Sequence, residues 1–186
     1  WRPEELTSPF PNLVSALRSY TQEGGALFVA SFDLLTRLSE IQQGAFASNV
    51  LHVASYSEDQ GALSIQALAG EPVGGDIALD LNYDEFPSGF IIDLLGIDWT
   101  VGPDHLQAGT NTAAVFIQED GRTVGLKYPR TGLDSANGRV VYYSFALEAV
   151  PADGDAPNNR ATLLGQALEF LLPGLQGLSS IAFEQS

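Results

Sequence analysis

The sequence predicts an α/β domain with a mainly parallel central sheet, and three observations carry that expectation. A helix-spaced stretch ends in a glycine pair and passes at once into a short apolar run without alternation. A second helical pattern follows that run within four residues. Towards the other end, a β-branched and aromatic run is again followed by an amphipathic helix.

The first helix is expected over Asn12 to Gln22, with Asn12 as its cap and Leu13, Ala16, Leu17 and Tyr20 along one side. Gly24-Gly25 ends it, because glycine accepts the left-handed conformation of a C-terminal cap at little cost. Ala26-Leu27-Phe28-Val29-Ala30 then reads as a strand covered on both faces, as in a parallel sheet. Ser31-Phe32-Asp33 follows, with Asp33 placed to cap a helix carrying Leu34, Leu35 and Leu38.

The middle of the chain reads as β-rich insertions. Strands are expected at Leu63 to Leu68, Ile77 to Leu81, Phe90 to Leu94 and Ala113 to Gln118. Asp120-Gly121 marks a tight turn, so Ala113 to Tyr128 reads as a hairpin. Asn137-Gly138 then leads into a strand, Arg139 to Phe145. An acidic loop precedes a helix that starts near Asn159 or Arg160, uses Ala161, Leu164, Leu168 and Leu171 as its buried stripe, and stops at Pro173-Gly174. The 186 residues are expected to form one domain, with 1–11 as a linker or remnant and 175–186 as a C-terminal linker.

Composition excludes several functions. The net charge is -15, from 8 basic against 23 acidic residues, and the basic residues are scattered, which opposes binding to a phosphate backbone. No apolar run approaches the roughly 20 residues of a membrane-spanning helix. Without cysteine there is no disulfide, thiolate nucleophile or sulfur-based zinc site. Gly70 to Gly75 lacks the spacing of a nucleotide-binding loop. The opening Trp1-Arg2-Pro3-Glu4-Glu5 has neither a basic leader nor an apolar signal core, and it lacks an initiator Met, so a processed chain or a segment of a longer protein is expected.

Three stretches together carry a family resemblance: Leu17 to Val29, Asp84-Glu85-Phe86-Pro87-Ser88-Gly89-Phe90, and Gly138 to Ala149 with the helix Arg160 to Leu172. They resemble the class I glutamine-amidotransferase-like domains of large secreted bacterial proteins. The resemblance implies a flavodoxin-like three-layer sandwich, here missing its first strand, and a secreted or cell-surface setting. It also implies a cysteine after the first apolar strand and a histidine followed by an acid after the later one. Ser31-Phe32-Asp33 and Ser144-Phe145-Ala146-Leu147-Glu148 stand there instead. The expected function is therefore a non-catalytic accessory or interaction module, whose partners are other domains of a longer parent, a protein or a glycan.

Two alternatives rest on particular residues. A hydrolase would use Ser31 with His52 or His105 as base and Asp33 or Glu148 as acid. Calcium-stabilised adhesion or glycan binding would use Asp80, Asn82 and Asp84, whose oxygen ligands alternate as in the opening of a calcium loop, with Glu85 beside them. That match fails where an EF-hand needs glycine and its bidentate glutamate, so no cofactor is assigned beyond Ca2+ as a candidate. Trp99, between Asp98 and Thr100, is the candidate ligand contact.

Overall fold

A computed structural model of the chain describes residues 10–57, 64–83, 103–132 and 138–173. Helix α1 (Phe10–Gln22) leads into strand β1 (Ala26–Ala30), followed by α2 (Leu34–Glu40), α3 (Gly44–Asn49) and β2 (Val53–Ser57). Then come β3 (Ser64–Ala67), β4 (Ala78–Asp80), β5 (His105–Ala108), β6 (Ala113–Ile117), β7 (Thr123–Tyr128) and β8 (Arg139–Tyr143). A 3-10 turn at Leu147–Ala149 and helix α4 (Arg160–Leu171) complete the described chain. The expected strand Phe90 to Leu94 lies outside the described residues.

Six strands form one sheet in the order β1-β8-β7-β6-β3-β4, and β2 pairs with β5 in a second, two-stranded sheet. Among the described strands only β1 and β8 are parallel; every other pairing is antiparallel. The result is an α/β fold with a mixed, mostly antiparallel sheet curled into a half-barrel. The expected mainly parallel, flavodoxin-like three-layer sandwich is thereby corrected. A non-alternating apolar run reports burial on both faces, and β8 has that burial while pairing parallel on one side and antiparallel on the other. The pattern measures what covers a strand and says nothing of its neighbour's direction.

Two cores lie on opposite faces of the sheet, and β8 supplies both by simple alternation. Val141 and Tyr143 join Phe116, Phe145, Leu163, Ala167 and Leu171 on the face covered by α4. Val140 and Tyr142 join Leu35, Leu38, Phe46, Val50, Leu51 and Leu126 on the other. Tyr143 anchors the first core through an edge-on contact with Phe28 (5.4 Å) and a stack on Phe145 (5.0 Å). The Asn159 side chain accepts the Thr162 N–H at 2.8 Å and so caps α4, which starts where it was expected to.

Helix faces were less legible. In α1 the buried residues are Val14 and Thr21, whereas Leu13 and Tyr20 are about half exposed (51% and 49%). In α4 the buried row is Leu163, Ala167 and Leu171, and Leu168 is exposed. Leu171 is buried and Leu17 packs partly against the core, as expected, but the other expected positions lie about one residue off the buried rows, which is the error a helix with apolar residues on two sides invites.

The β1–β8 pair begins at a close backbone crossing. The Gly138 N–H donates to the Thr21 carbonyl (2.6 Å), and the Arg139 N–H donates to the Gly25 carbonyl (3.1 Å). A Cβ on Gly138 would overlap the Gly25 carbonyl, and no flexible side chain is there to yield. Gly138→Ala is therefore expected to destabilise the domain by about 3 kcal/mol, the upper range for overpacking. A urea titration showing a lower midpoint at unchanged slope would measure it.

Candidate functional site

The end of the sheet where β6 and β8 finish gathers four of the seven buried polar residues of the described chain. Asp104, His105, Gln118 and Ser144 are each less than a tenth exposed. The Ser144 hydroxyl donates to the Asp104 carbonyl (2.5 Å), tying the segment before β5 to the end of β8. His105 Nε2 lies 2.7 Å from Gln118 Oε1. An amide oxygen only accepts, so this nitrogen carries the proton in the orientation seen. Tyr142 lies beside this row. Its phenol is pushed well above the usual range, first by burial and then by Asp104 and Tyr56.

An open cavity of about 310 Å³ borders the row, lined by Tyr56, His105, Gln107, Arg122 and Thr123 among others. Its cation is already engaged, because Arg122 pairs with Asp120 at 2.5 Å. That pairing, through hydrogen bonds from the Arg122 side chain and backbone, holds the Asp120 carboxyl below the ordinary carboxylate range. The polar groups of this end thus hold neighbouring segments together.

The expected site residues occupy separate environments. Ser31 is half-buried at the end of β1, its backbone N–H donating to the Tyr143 carbonyl (3.0 Å). Asp33 makes an exposed ion pair with Arg37 (2.8 Å) and no side-chain cap. His52 has a positive φ of 57° and stacks on Tyr128, with ring centroids 3.6 Å apart. Glu148 is exposed in the 3-10 turn, and its carbonyl accepts from Arg160 (2.8 Å). His105, read from sequence as a loop residue, is buried on β5. Asp80 is exposed at the end of β4, and the Asn82 N–H donates to the Ala149 carbonyl (2.7 Å). Asp84, Glu85 and Trp99 lie outside the described residues. Among the described residues no group of three or more His, Asp or Glu side chains is arranged to hold a metal, so the candidate calcium site gains no ligand set.

Sequence reasoning missed the buried ion pair between Lys127 and Glu71 (2.5 Å), with the ammonium 5.3 Å from the Phe170 ring centroid. Lys127 is the one lysine of the chain, and its place in a strand of apolar neighbours was the available signal.

It also missed the outer edge of β1. The bonds from Arg139 to Gly25 and from Ser31 to Tyr143 show that residues 25, 27, 29 and 31 turn their backbone groups towards β8. Residues 26, 28 and 30 therefore face outwards. At Ala26 the Tyr20 hydroxyl lies 3.2 Å from both the N–H and the carbonyl, which closes that position. Phe28 and Ala30 have no such cover among the described residues. All five residues of β1 are half-buried, although helices flank both faces, whereas Val141, Tyr142 and Tyr143 of β8 are fully buried. The difference is one neighbouring strand.

Comparison with known protein families, curated proteins and solved structures finds no match to this chain. The architecture is not clearly flavodoxin-like or glutamine-amidotransferase-like. The expected bacterial, secreted setting and calcium binding likewise gain no support from these comparisons.

Two expectations follow from the buried phenols. The Tyr142 and Tyr143 hydroxyls have no hydrogen-bond partner among the described residues. Tyr143→Phe is expected to be neutral or stabilising by up to about 1 kcal/mol in urea unfolding, since a desolvated, unpaired hydroxyl is removed. Burial raises both phenols above their ordinary range, with Glu71 adding to the effect at Tyr143. The folded state then disfavours phenolate, and the unfolded chain loses those protons near pH 10. Stability should hold below about pH 9 and fall above about pH 10, by up to about 1.4 kcal/mol per pH unit for each phenol. Unfolding curves across that range check it.

Proposed function

We propose that this chain is a non-catalytic interaction domain whose docking surface is the open edge of β1 with the helix flanks beside it. One observation carries the reading. Leu13, Tyr20, Leu168 and Leu172 are the exposed large apolar side chains among the described residues, and they lie on, or at the C-cap of, the two helices that flank β1.

Their placement is consistent with a single surface. Tyr20 touches the outer side of β1 at Ala26, and Leu13 lies two helical turns earlier on the same flank of α1. In α4, Leu163, Ala167 and Leu171 face the sheet, while Phe170 lies under Lys127 and Arg139 on the inner flank. Leu168 and Leu172 are one residue beyond the buried row, on the flank away from Phe170. An apolar, uncharged strand edge between apolar flanks suits the addition of an extended segment by main-chain bonding.

A phage-displayed heptapeptide library panned on the intact protein tests this. Enrichment of strand-forming apolar sequences is expected, with binding lost in Ala30→Pro. Proline there removes an outward N–H and leaves the bonds to β8 in place. Saturable turnover on ester, peptide or glycan substrates, abolished by Ser31→Ala, would overturn the reading in favour of a hydrolase.

A further inference from the structure

We infer that the segment received by the β1 edge is the same edge of a second copy of this chain. The two copies would pair antiparallel about a two-fold axis through Val29. This rests on the docking surface proposed above and names its partner.

The register follows from which groups are open. Tyr20 closes Ala26, and the turn after Ala30 ends the strand, so Phe28 and Ala30 supply the outward N–H and carbonyl groups. Two residues spaced by one form a self-complementary set. With the axis at Val29, Phe28 of one copy opposes Ala30 of the other in a hydrogen-bonded antiparallel pair, and the reverse holds on the far side of the axis. Four main-chain bonds form, and no open group of either edge is left over.

The same axis serves the side chains. Strands that pair edge to edge in one continuous sheet keep equivalent helices on the same face, so α1 meets α1 and α4 meets α4. The α1 flank carrying Leu13 and Tyr20 then meets the same flank of the other copy across the axis, as does the α4 flank carrying Leu168 and Leu172, residue i on j and j on i as an isologous interface requires. Four partly exposed apolar side chains and one five-residue strand edge make a small contact surface on each copy. A pair of that size belongs near the lower bound for a specific interface, roughly 1,000 Å², so a dissociation constant on the order of 10 µM fits better than a nanomolar one.

Charge sets the sign of the salt dependence. Each copy carries -15, yet Ala26–Ala30 holds no charged residue. Long-range repulsion opposes association while the contact itself is apolar, so added salt should tighten the pair by screening. A basic partner peptide would respond in the opposite direction.

Sedimentation velocity of the 186-residue chain from about 1 to about 200 µM, at low and high salt, tests the inference. A reversible dimer that tightens with salt is expected. Ala30→Pro should weaken it at least tenfold with an unchanged circular dichroism spectrum. Leu168→Lys, at an exposed helix position, should do the same and covers the case in which the proline variant misfolds. A chain that stays monomeric throughout, a dimer that weakens with salt, or a dimer indifferent to both substitutions would each overturn self-pairing. A monomer that still binds heptapeptides through Ala30 would sink self-pairing alone and leave the docking edge standing; loss of both would remove the edge as well.

Discussion

The rest of the structure depends on the parallel contact between β1 and β8. It is the sole parallel pairing among the described strands, and it joins parts of the chain more than a hundred residues apart. Everything between them must leave the far end of β1 and cross back to the starting end of β8. Glycines at 25 and 138 let the two backbones meet at that starting end, where a side chain on the second would collide with the first. With that seam closed, β8 can pair with β7 on its other side, and its alternating residues fill both cores.

The two borders of the six-stranded sheet are finished differently. At β4 the strand has three residues, ends in an exposed Asp80, and has its Ala78 N–H taken by the Asn158 side chain. Short length, charge and a covering loop are the usual protections of a sheet border. At β1, among the described residues, none of these is present apart from the Tyr20 hydroxyl at one residue. Contrast within a single sheet is more informative than exposure alone, because both borders belong to one chain with one composition.

Much of the local structure was legible. The α1–β1–α2 succession, the hairpin across Asp120-Gly121 and the β8–α4 pair fall where apolar spacing and glycine turns place them, while Asn12, expected as a cap, lies inside α1. Direction was not legible: the run Ala26 to Ala30 reports cover on two faces, and strand polarity is decided by connections far along the chain. Helices α1 and α4 carry apolar residues on two sides, so spacing alone could not say which side meets the sheet. His105 sits after Gly102-Pro103-Asp104, a loop signature, and only its pairing in β5 and its bond to Gln118 reveal a buried residue. The serine and histidine read as candidates sit at places that tertiary contacts, absent from any local pattern, determine.

The pair formed by Lys127 and Glu71 constrains how this sequence is free to drift. Both side chains are nearly enclosed, at 7% and 13% exposure. Discarding either one strands its opposite charge in the interior, at a cost of roughly 3–5 kcal/mol, whereas exchanging both for well-packed hydrocarbon is close to neutral. A lineage can therefore leave this arrangement only by changing two distant codons together. Kindred chains should show either both ions or neither, which makes these two positions a marker of shared ancestry even where the remaining letters have diverged.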